Sequence, residues 1–305
     1  LGANGTASPW RIKMMFIEPL LRSDSMRPNQ SRKEPMKIVS FNINGIRARI
    51  HQLEALKQYL DPDIIGLQEV KVADEQFPYE DLEFLNYRFD THGQKGHYGV
   101  ALASKPEPLK ILRGYATDTD EAQRRMIRGV YALADGTEVT IFNGYFPQGE
   151  SRDHPLKFPA KEAFYQDLLT TLQSEHSPND HIVVMGDFNV APLDKDIGIT
   201  DDAKQRWLRT GKTSFLPEER EWFQRLTDWG LIDSWRAVNP DIDDQYSWFD
   251  YRSRGFEDDP KRGLRIDHIL VSKPLIERMT GCGIDYQLRA MERPSDHCPV
   301  WITVE

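Results

Sequence analysis

His181–Val190, with the sequence HIVVMGDFNV, is the stretch that decides the fold. Its first half is apolar and β-branched, which predicts a buried strand. Asp187 and Asn189 follow, and side chains two residues apart on an extended segment point to the same side. A carboxylate and a carboxamide therefore face one spot at the end of a strand, where open α/β sheets bind ligands. Their oxygens suit a hard cation with phosphate, although an Asp and an Asn that only begin a turn would show the same pattern.

The rest of the chain alternates between strand and helix patterns. Further apolar runs predict strands at residues 37–44, 64–70, 98–104, 138–146, 265–272 and 299–304. Helical spacing of apolar residues predicts helices at 47–60, 160–175 and 218–229. Several strands lie close enough in sequence for antiparallel pairing, so we expect α/β layers with mixed sheets.

Composition is that of a globular chain: 305 residues, 39% hydrophobic and 29% charged. Length alone favours two domains. No run approaches the roughly 20 apolar residues of a membrane span. Cys282 and Cys298 offer neither a disulfide framework nor metal-site spacing, which indicates a reducing, cytoplasmic location. The net charge of −9 argues against bulk attraction to nucleic acid, but not against a local basic face.

Residues 1–35 differ from the remainder. They are rich in Gly, Ser, Asn and Pro, carry an excess of basic residues and show no sustained period. We expect a disordered N-terminal extension over residues 1–35 and a folded chain from Met36. Because the chain begins with leucine, vector sequence and a truncated reading frame are both open origins for this segment.

Polar side chains interrupt or end nearly every predicted central strand: Asn42, Glu69, Tyr145, Asp187, Asn189, Asp267, Asp296 and His297. Each alone has an ordinary explanation, such as a turn or a solvated acid. If the strand ends converge, however, at least three carboxylates share a site and need a divalent cation to offset their repulsion. Carboxylate and amide oxygens without a cysteine cluster favour Mg²⁺ or Mn²⁺ over Zn²⁺.

Six motifs, in this order, resemble the exonuclease III family of abasic-site nucleases, within the endonuclease/exonuclease/phosphatase superfamily. They are Phe41–Gly45 (FNING), Leu67–Glu69 (LQE), Asn143–Pro147 (NGYFP), Gly186–Asn189 (GDFN), Arg265–Leu270 (RIDHIL) and Ser295–His297 (SDH). Longer similar stretches are Gly93–Val100, Pro147–Pro155 and Ser247–Ser253. The resemblance runs from about Met36 to the C-terminus.

The resemblance implies an α/β four-layer sandwich: two mixed, mostly antiparallel β-sheets packed face to face and flanked by helices. Residues 36–305 would form this single catalytic domain, which overrides the two-domain expectation. The implied protein is a monomeric, cytoplasmic, nucleoid-associated DNA repair hydrolase that uses Mg²⁺, with Mn²⁺ as the alternative. On duplex DNA it would act as a 3′→5′ exonuclease, cut 5′ to abasic sites and remove blocked 3′ ends.

Residue roles follow from the matching motifs. The implied catalytic residues are Tyr145, Asp187, Asn189, Asp267 and His297. The implied metal ligands are Asn42, Glu69, Asp187, Asn189, Asp296 and His297, with Glu69 as the principal one. His297 would contact phosphate while Asp267 orients its imidazole. Asp187 could serve as base, as ligand of a second metal or as acid for the leaving group, and these alternatives stay open.

The resemblance also implies residues that contact DNA: Arg125, Gln148, Lys157, Trp248, Phe249, Leu264 and Ile266. Trp248, Leu264 and Ile266 would line a small apolar pocket that accepts a base-free deoxyribose and excludes a normal nucleotide by size. Without the resemblance, a core aromatic pair is the better explanation of Trp248 and Phe249. His268 stands where some relatives have an apolar residue, and it could alter the orientation of the Asp267–His297 pair.

Three other functions fit the same motifs less well. One is a 3′-end-processing enzyme that lacks abasic incision. Another is a phosphatase of the same superfamily that acts on phosphates outside nucleic acids. The third is an inactive DNA-binding protein, which the intact motif set disfavours.

Overall fold

Twelve strands form the framework of residues 35–305, the part of the chain that this computed structural model describes. They are β1 (Met36–Asn42), β2 (Ile64–Gln68), β3 (Arg88–His92), β4 (Val100–Ser104), β5 (Lys110–Arg113), β6 (Met126–Ala132), β7 (Glu138–Tyr145), β8 (Ile182–Asp187), β9 (Leu231–Asp233), β10 (Asp267–Ser272), β11 (Met279–Ile284) and β12 (Val300–Val304). The disordered extension expected over residues 1–35 falls, apart from Pro35, outside the described residues.

The strands form two six-stranded sheets. The first has the order β11-β12-β1-β2-β4-β3 and the second β5-β6-β7-β8-β10-β9. Only the pairs β1–β2 and β7–β8 are parallel among the strands described. Each sheet is therefore mixed and mostly antiparallel, as the sequence predicts.

The alternation of side chains along each strand creates two kinds of core. Along β8, Val183 and Met185 point inward and join side chains of the first sheet in the core between the sheets. Ile182 and Val184 point outward and pack against helices. This period of two fills both faces with apolar side chains, and it explains why the central strands are continuous apolar runs.

The outer layers are helices. They are α1 (Ile50–Tyr59), α2 (Tyr79–Leu82), α3 (Lys157–Glu175), α4 (Asp201–Thr210), α5 (Pro217–Trp229), α6 (Ser234–Val238), α7 (Lys273–Ile276) and α8 (Tyr286–Arg289). Helices α3 and α5 cover the second sheet, and α1 covers the first. The four-layer sandwich is thereby confirmed. None of the helices between residues 35 and 305 combines enough length and apolarity to span a bilayer.

The strands that the sequence analysis missed are mostly at sheet edges. All four edge strands, β3, β5, β9 and β11, were missed, together with the internal strand β6. An edge strand has one open side and is short or partly exposed, so its apolar period is weak. The amphipathic helix α4 was missed for a related reason, because none of its residues is fully buried.

Candidate active site

Four polar side chains occupy the inner-face positions at one end of the central strands. Asn42 ends β1, Tyr145 ends β7, Asp187 ends β8 and Asp267 begins β10. Asp187 is in register with Tyr145 on one side and with Asp267 on the other. The alternation that places Val183 and Met185 in the core thus places polar groups at the open end of the same layer.

The backbone at this end adopts conformations that most residues avoid. Gly186 has φ of 151°, and a Cβ there would lie 1.8 Å from the Gly144 carbonyl oxygen, so only glycine lets β7 and β8 approach this closely. Just past the strand ends, Asn44, Glu69 and Asn189 have φ of 49°, 52° and 53°. Left-handed backbone at non-glycine residues is costly and clusters at functional sites.

Asn42 joins the two sheets. Its Nδ2 donates to Glu69 Oε1 at 3.1 Å and to Asp187 Oδ2 at 2.9 Å. The first carboxylate follows a strand of the first sheet and the second ends a strand of the other, so one amide holds both together. Asp187 also accepts a hydrogen bond from the backbone N–H of Asn189 at 3.0 Å.

His297 and Asp267 form a buried ion pair. Nδ1 of His297 lies 2.9 Å from an Asp267 carboxylate oxygen, and Nε2 lies 3.8 Å from Asp187 Oδ2. Burial lowers the pKa of His297, but the charges of Asp267 and Asp187 outweigh it and hold that pKa well above its usual range. A protonated imidazole can donate from Nε2 but cannot bind a metal. This charge state favours the predicted phosphate contact of His297 and disfavours its predicted metal ligation.

Asp187 lacks enough positive charge around it. Burial raises its pKa, His297 lowers it, and the neighbouring charges of Asp267 and Glu69 raise it again, so its pKa stands well above the usual range. Four carboxylates, those of Glu69, Asp187, Asp267 and Asp296, meet only His297 and Lys71 as cations in direct contact among the described residues. This excess of carboxylates over contacting cations fits a divalent hard cation, which prefers oxygen ligands.

Asp296 is held from two sides. Its Oδ1 accepts from Asn44 Nδ2 at 2.8 Å and its Oδ2 from Trp248 Nε1 at 3.0 Å. Burial raises the pKa of Asp296, but His297 and these two donors outweigh it and leave that pKa below its usual range. Asp296 is therefore a carboxylate beside the cluster, as a metal-shell residue needs to be.

Arg125 supports Tyr145 instead of reaching outward. Its guanidinium carbon lies 4.4 Å from the centre of the Tyr98 ring and 4.5 Å from that of Tyr145, and NH1 donates to the Tyr145 carbonyl oxygen at 3.1 Å. The Arg125 side chain is buried between these rings. Its predicted DNA contact is corrected to an internal cation–π contact that positions Tyr145.

The polar cluster opens into a cavity of about 550 Å³. The predicted site residues that line it are Glu69, Tyr145, Gln148, Asp187, Asn189, Trp248, Ile266, Asp296 and His297. Asn42 and Asp267 lie behind this lining and contact its members. The structure thus brings together all the residues predicted for catalysis or metal binding.

Three other predicted DNA contacts do not line the cavity. Phe249 has no exposed surface and packs against Phe256 and Tyr286, so its predicted DNA contact is wrong. Leu264 is 1% exposed and packs behind Ile266, which leaves the pocket wall to Ile266 and Trp248. Lys157 is exposed and forms an ion pair with Glu150.

One wall of the cavity was absent from the predicted site residues, although the sequence places the basic residues Arg206 and Lys212 close together there. It comes from α4 and the residues on either side of it, including Thr200, Arg206, Trp207 and Lys212. Trp207 stacks on Phe215 with ring centres 5.4 Å apart, and the ammonium of Lys212 lies 3.5 Å from the centre of the Trp207 ring. The usable signal was Thr200 before the acidic first turn and Gly211 after the last one, which are typical helix ends.

His268 faces away from the site. Its Nε2 donates to the Val190 carbonyl oxygen at 2.8 Å, while its Nδ1 lies 3.0 Å from the Arg265 guanidinium. Neighbouring residues on a strand point to opposite faces, so His268 contacts the outer layer while Asp267 contacts His297. The expected disturbance of the Asp267–His297 pair is therefore wrong.

Sequence comparison finds a family and close relatives. The model of the Endonuclease/Exonuclease/phosphatase family matches residues 39–297. Exodeoxyribonuclease III of Haemophilus influenzae is 60% identical over 266 residues, which cover 87% of this chain and 98% of that protein. An exodeoxyribonuclease of Bacillus subtilis is 29% identical over 272 residues, 88% of this chain and 99% of its own.

Solved structures show the same fold. A Neisseria 3′ phosphatase bound to a product DNA hairpin superposes with a TM-score of 0.78 at 36% identity, covering 88% of this chain and 99% of that one. An AP endonuclease from Archaeoglobus fulgidus has a TM-score of 0.79 at 32% identity, with coverage of 88% and 99%.

Proposed function

The chain belongs to the Endonuclease/Exonuclease/phosphatase family, and from that premise we propose that it is a divalent-metal-dependent DNA repair hydrolase of the exodeoxyribonuclease III type. It cuts phosphodiester bonds of duplex DNA 5′ to abasic sites, trims 3′ ends in the 3′→5′ direction and removes 3′-blocking phosphates. Relatives named exodeoxyribonuclease III, 3′ phosphatase and AP endonuclease support these three activities.

One observation carries the proposal. A cluster of buried and half-buried carboxylates, which outnumber the cations that contact them, opens into a cavity whose lining also includes apolar and cationic side chains such as Trp248, Arg206 and Lys212. A phosphodiester needs a cation for its oxygens, a proton acceptor for water and a donor for the leaving group. The cluster supplies groups of each kind.

The donor set indicates where the metal belongs. Glu69, with Asp296 near it, would hold the ion, and we propose Mg²⁺ with Mn²⁺ as a substitute because these donors are carboxylate oxygens. The predicted ligand Asn42 turns its Nδ2 towards the carboxylates while its Oδ1 accepts from the Asn44 N–H, so it would position Glu69 instead of binding the ion. When bound, the ion would neutralise charge on the phosphoryl oxygens as the transition state forms. His297 is assigned to phosphate instead of metal, because its Nδ1 is paired with Asp267 and the charges of Asp267 and Asp187 raise its pKa, which favours an Nε2–H donor.

The remaining roles use the chain's own groups. Asp187 orients water or moves a proton at the scissile phosphate, as base, as acid or as a ligand of a second ion. The His297 Nε2–H donates to a phosphoryl oxygen while Asp267 fixes the imidazole from the other side. Asn189 has one amide hydrogen on the Phe146 carbonyl oxygen at 3.0 Å and the other free for phosphate. Tyr145, which lines the cavity, would lie near the phosphate or the leaving oxygen.

Selectivity for abasic sites would come from Trp248 and Ile266, which line the cavity. A deoxyribose without its base fits against this apolar wall, and a nucleotide that keeps its base is excluded by size. Gln148, also in the lining, and the exposed Lys157 would contact the DNA backbone nearby.

We also propose the domain organisation, the oligomeric state and the cellular location of the protein. Residues 36–305 act as one catalytic domain, a proposal that the family match over residues 39–297 supports. The protein acts as a monomer in the cytoplasm, together with the chromosomal DNA that it repairs. Light scattering of the purified chain would test the monomer.

The function is tested with three duplexes: one with an internal stable abasic analogue, one with a 3′-phosphate and one undamaged. Each is incubated with the protein and Mg²⁺, and again with EDTA. We expect a metal-dependent nick immediately 5′ to the lesion, release of phosphate from the second duplex and slow 3′ trimming of the third.

The pattern of failures is informative. Trimming without a nick at the lesion would indicate a 3′-end-processing enzyme and contradict the pocket assigned to Trp248. No cleavage of any duplex by folded protein would contradict the whole proposal and favour another phosphate substrate or an inactive binding protein.

A further inference from the structure

Lys71 stands at the carboxylate assigned to the metal. Its ammonium lies 2.9 Å from Glu69 Oε2 and donates to Asn44 Oδ1. Glu69 therefore has one oxygen on the Asn42 amide and the other on a lysine. The proposed mechanism gives Lys71 no task.

The backbone conformation of residues 69–71 places the Lys71 side chain next to Glu69. Lys71 has φ of 59° and Glu69 has φ of 52°, both left-handed, and the Lys71 N–H donates to the Tyr98 carbonyl oxygen at 2.9 Å. Left-handed backbone at a lysine is disfavoured and is kept only where the surroundings demand it. Gly45, which precedes the first short helical turn beside the Lys71 stem, has φ of 101°, a conformation that favours glycine.

An ammonium and a divalent ion cannot use the same carboxylate oxygen together. Both would stand within a few ångströms of each other, where two like charges repel strongly even near the protein surface. Lysine is a compact charge on a flexible stem, and the Lys71 side chain is 29% exposed, so it can swing into solvent.

We propose that Lys71 is an exchangeable counter-ion of Glu69: it occupies the metal carboxylate in the metal-free enzyme and is displaced when the divalent ion binds. This inference rests on the proposed metal-dependent function. Because Lys71 competes with the ion, metal affinity is lower than it would be without the lysine. In the metal-free site, the same lysine partly neutralises the charge of Glu69.

The test measures metal binding without DNA. Mn²⁺ is titrated into metal-free full-length protein, and free Mn²⁺ is followed by electron paramagnetic resonance. We expect Lys71→Met to bind Mn²⁺ about tenfold more tightly than the unchanged chain, because the competing charge is gone. Lys71→Gln provides a second neutral variant if the methionine form does not fold. Lys71→Arg keeps the charge and should bind no more tightly than the unchanged chain.

Lys105→Met is the matched control. Lys105 pairs with Asp61 and Asp63 after β4, away from the strand ends that form the site, and its side chain is also 29% exposed. The Lys105→Met substitution removes the same charge from the protein as Lys71→Met but far from Glu69, so the Mn²⁺ affinity should stay within about twofold of that of the unchanged chain. If Glu69→Gln no longer binds Mn²⁺ tightly, the Mn²⁺ ion measured in the titration is the one held by Glu69.

Equal or weaker Mn²⁺ binding by a folded Lys71→Met variant would overturn the inference, and weaker binding would show that Lys71 assists the ion by orienting Asn44. If the unchanged chain binds no Mn²⁺ at Glu69, the metal-dependent function itself fails.

Discussion

Two buried clusters of charged side chains lie on opposite faces of β10, and they differ in charge balance. On the inner face, Asp267 belongs to the proposed catalytic cluster of Glu69, Asp187, Asp267, Asp296 and His297, whose carboxylates outnumber the cations that contact them. On the outer face, His268 belongs to a second cluster, in which Arg265 binds both Asp196 and Asp233 at 2.7 Å and Arg236 also binds Asp196. Two acids there meet two arginines.

The charge balance appears in the pKa values. In the outer cluster burial raises the pKa of Asp233, yet the neighbouring Arg265 outweighs it, and the pKa falls well below its usual range. In the catalytic cluster the pKa of Asp187 rises above its usual range. Burial raises both pKa values, but the results are opposite, because the outer cluster contains more counter-charge for its acids. The outer cluster is internally neutralised by ion pairs, whereas the inner one would be completed by the divalent ion of the proposed function.

Neutralising one acid in each cluster tests most directly whether the two clusters have different roles. Asp187→Asn should lower the rate of abasic-site incision by about 10³-fold, because a group that moves or orients protons is lost. DNA binding, followed by fluorescence anisotropy, should persist. Asp233→Asn is the matched change and should lower stability while folded molecules keep their rate. Near-normal turnover by a folded Asp187→Asn variant would contradict the assignment.

Removing a cation from the outer cluster should cost stability. Arg265→Met leaves Asp196 and Asp233 buried without Arg265, and we expect the free energy of unfolding at pH 7 to fall by about 3–5 kcal/mol. The depressed pKa values of both acids give stability that is present above their unfolded pKa, near 4, and lost as pH falls. Urea unfolding should therefore show a gap between variant and unchanged chain that persists at neutral pH and narrows as pH falls below about 4. A gap that widens on acidification would refute the structural role.

A substitution at Trp248 tests whether abasic-site incision depends on the apolar wall beside the catalytic cluster. Trp248→Ala should slow abasic-site incision about tenfold more than 3′-phosphate removal, since only the first reaction needs the sugar pocket. Trp248→Phe is the control, because it keeps an apolar ring and removes only the Nε1 donor to Asp296. Initial rates on the two substrates decide the matter. Equal losses on both would count against the pocket.

The smallest effect is expected at the residue next to Asp267. His268→Leu removes the hydrogen bond to the Val190 carbonyl oxygen and should lower stability by about 1–2 kcal/mol. The incision rate of folded protein should stay within about twofold, because the side chain faces the outer layer. A large loss of rate with intact folding would show that the two clusters are coupled through β10.

The sequence predicted the central strands and the polar residues at their ends well. A period of two along an apolar strand is a local property, so Asp187 and Asn42 could be placed on strand ends without knowledge of their partners. The edge strands and α4 were not predicted, because their apolar pattern is weak where one side faces solvent.

The division of roles among neighbouring residues was beyond the sequence. Trp248 lines the cavity while Phe249 has no exposed surface, and Arg125 lies between two rings instead of facing DNA. The charge balance of each cluster depends on pairs such as Arg265 and Asp196, which are 69 positions apart. A sequence determines by itself what local period and side-chain chemistry dictate. Which charges are neutralised is decided only when distant residues are packed together, because a carboxylate's pKa depends on what surrounds it in space.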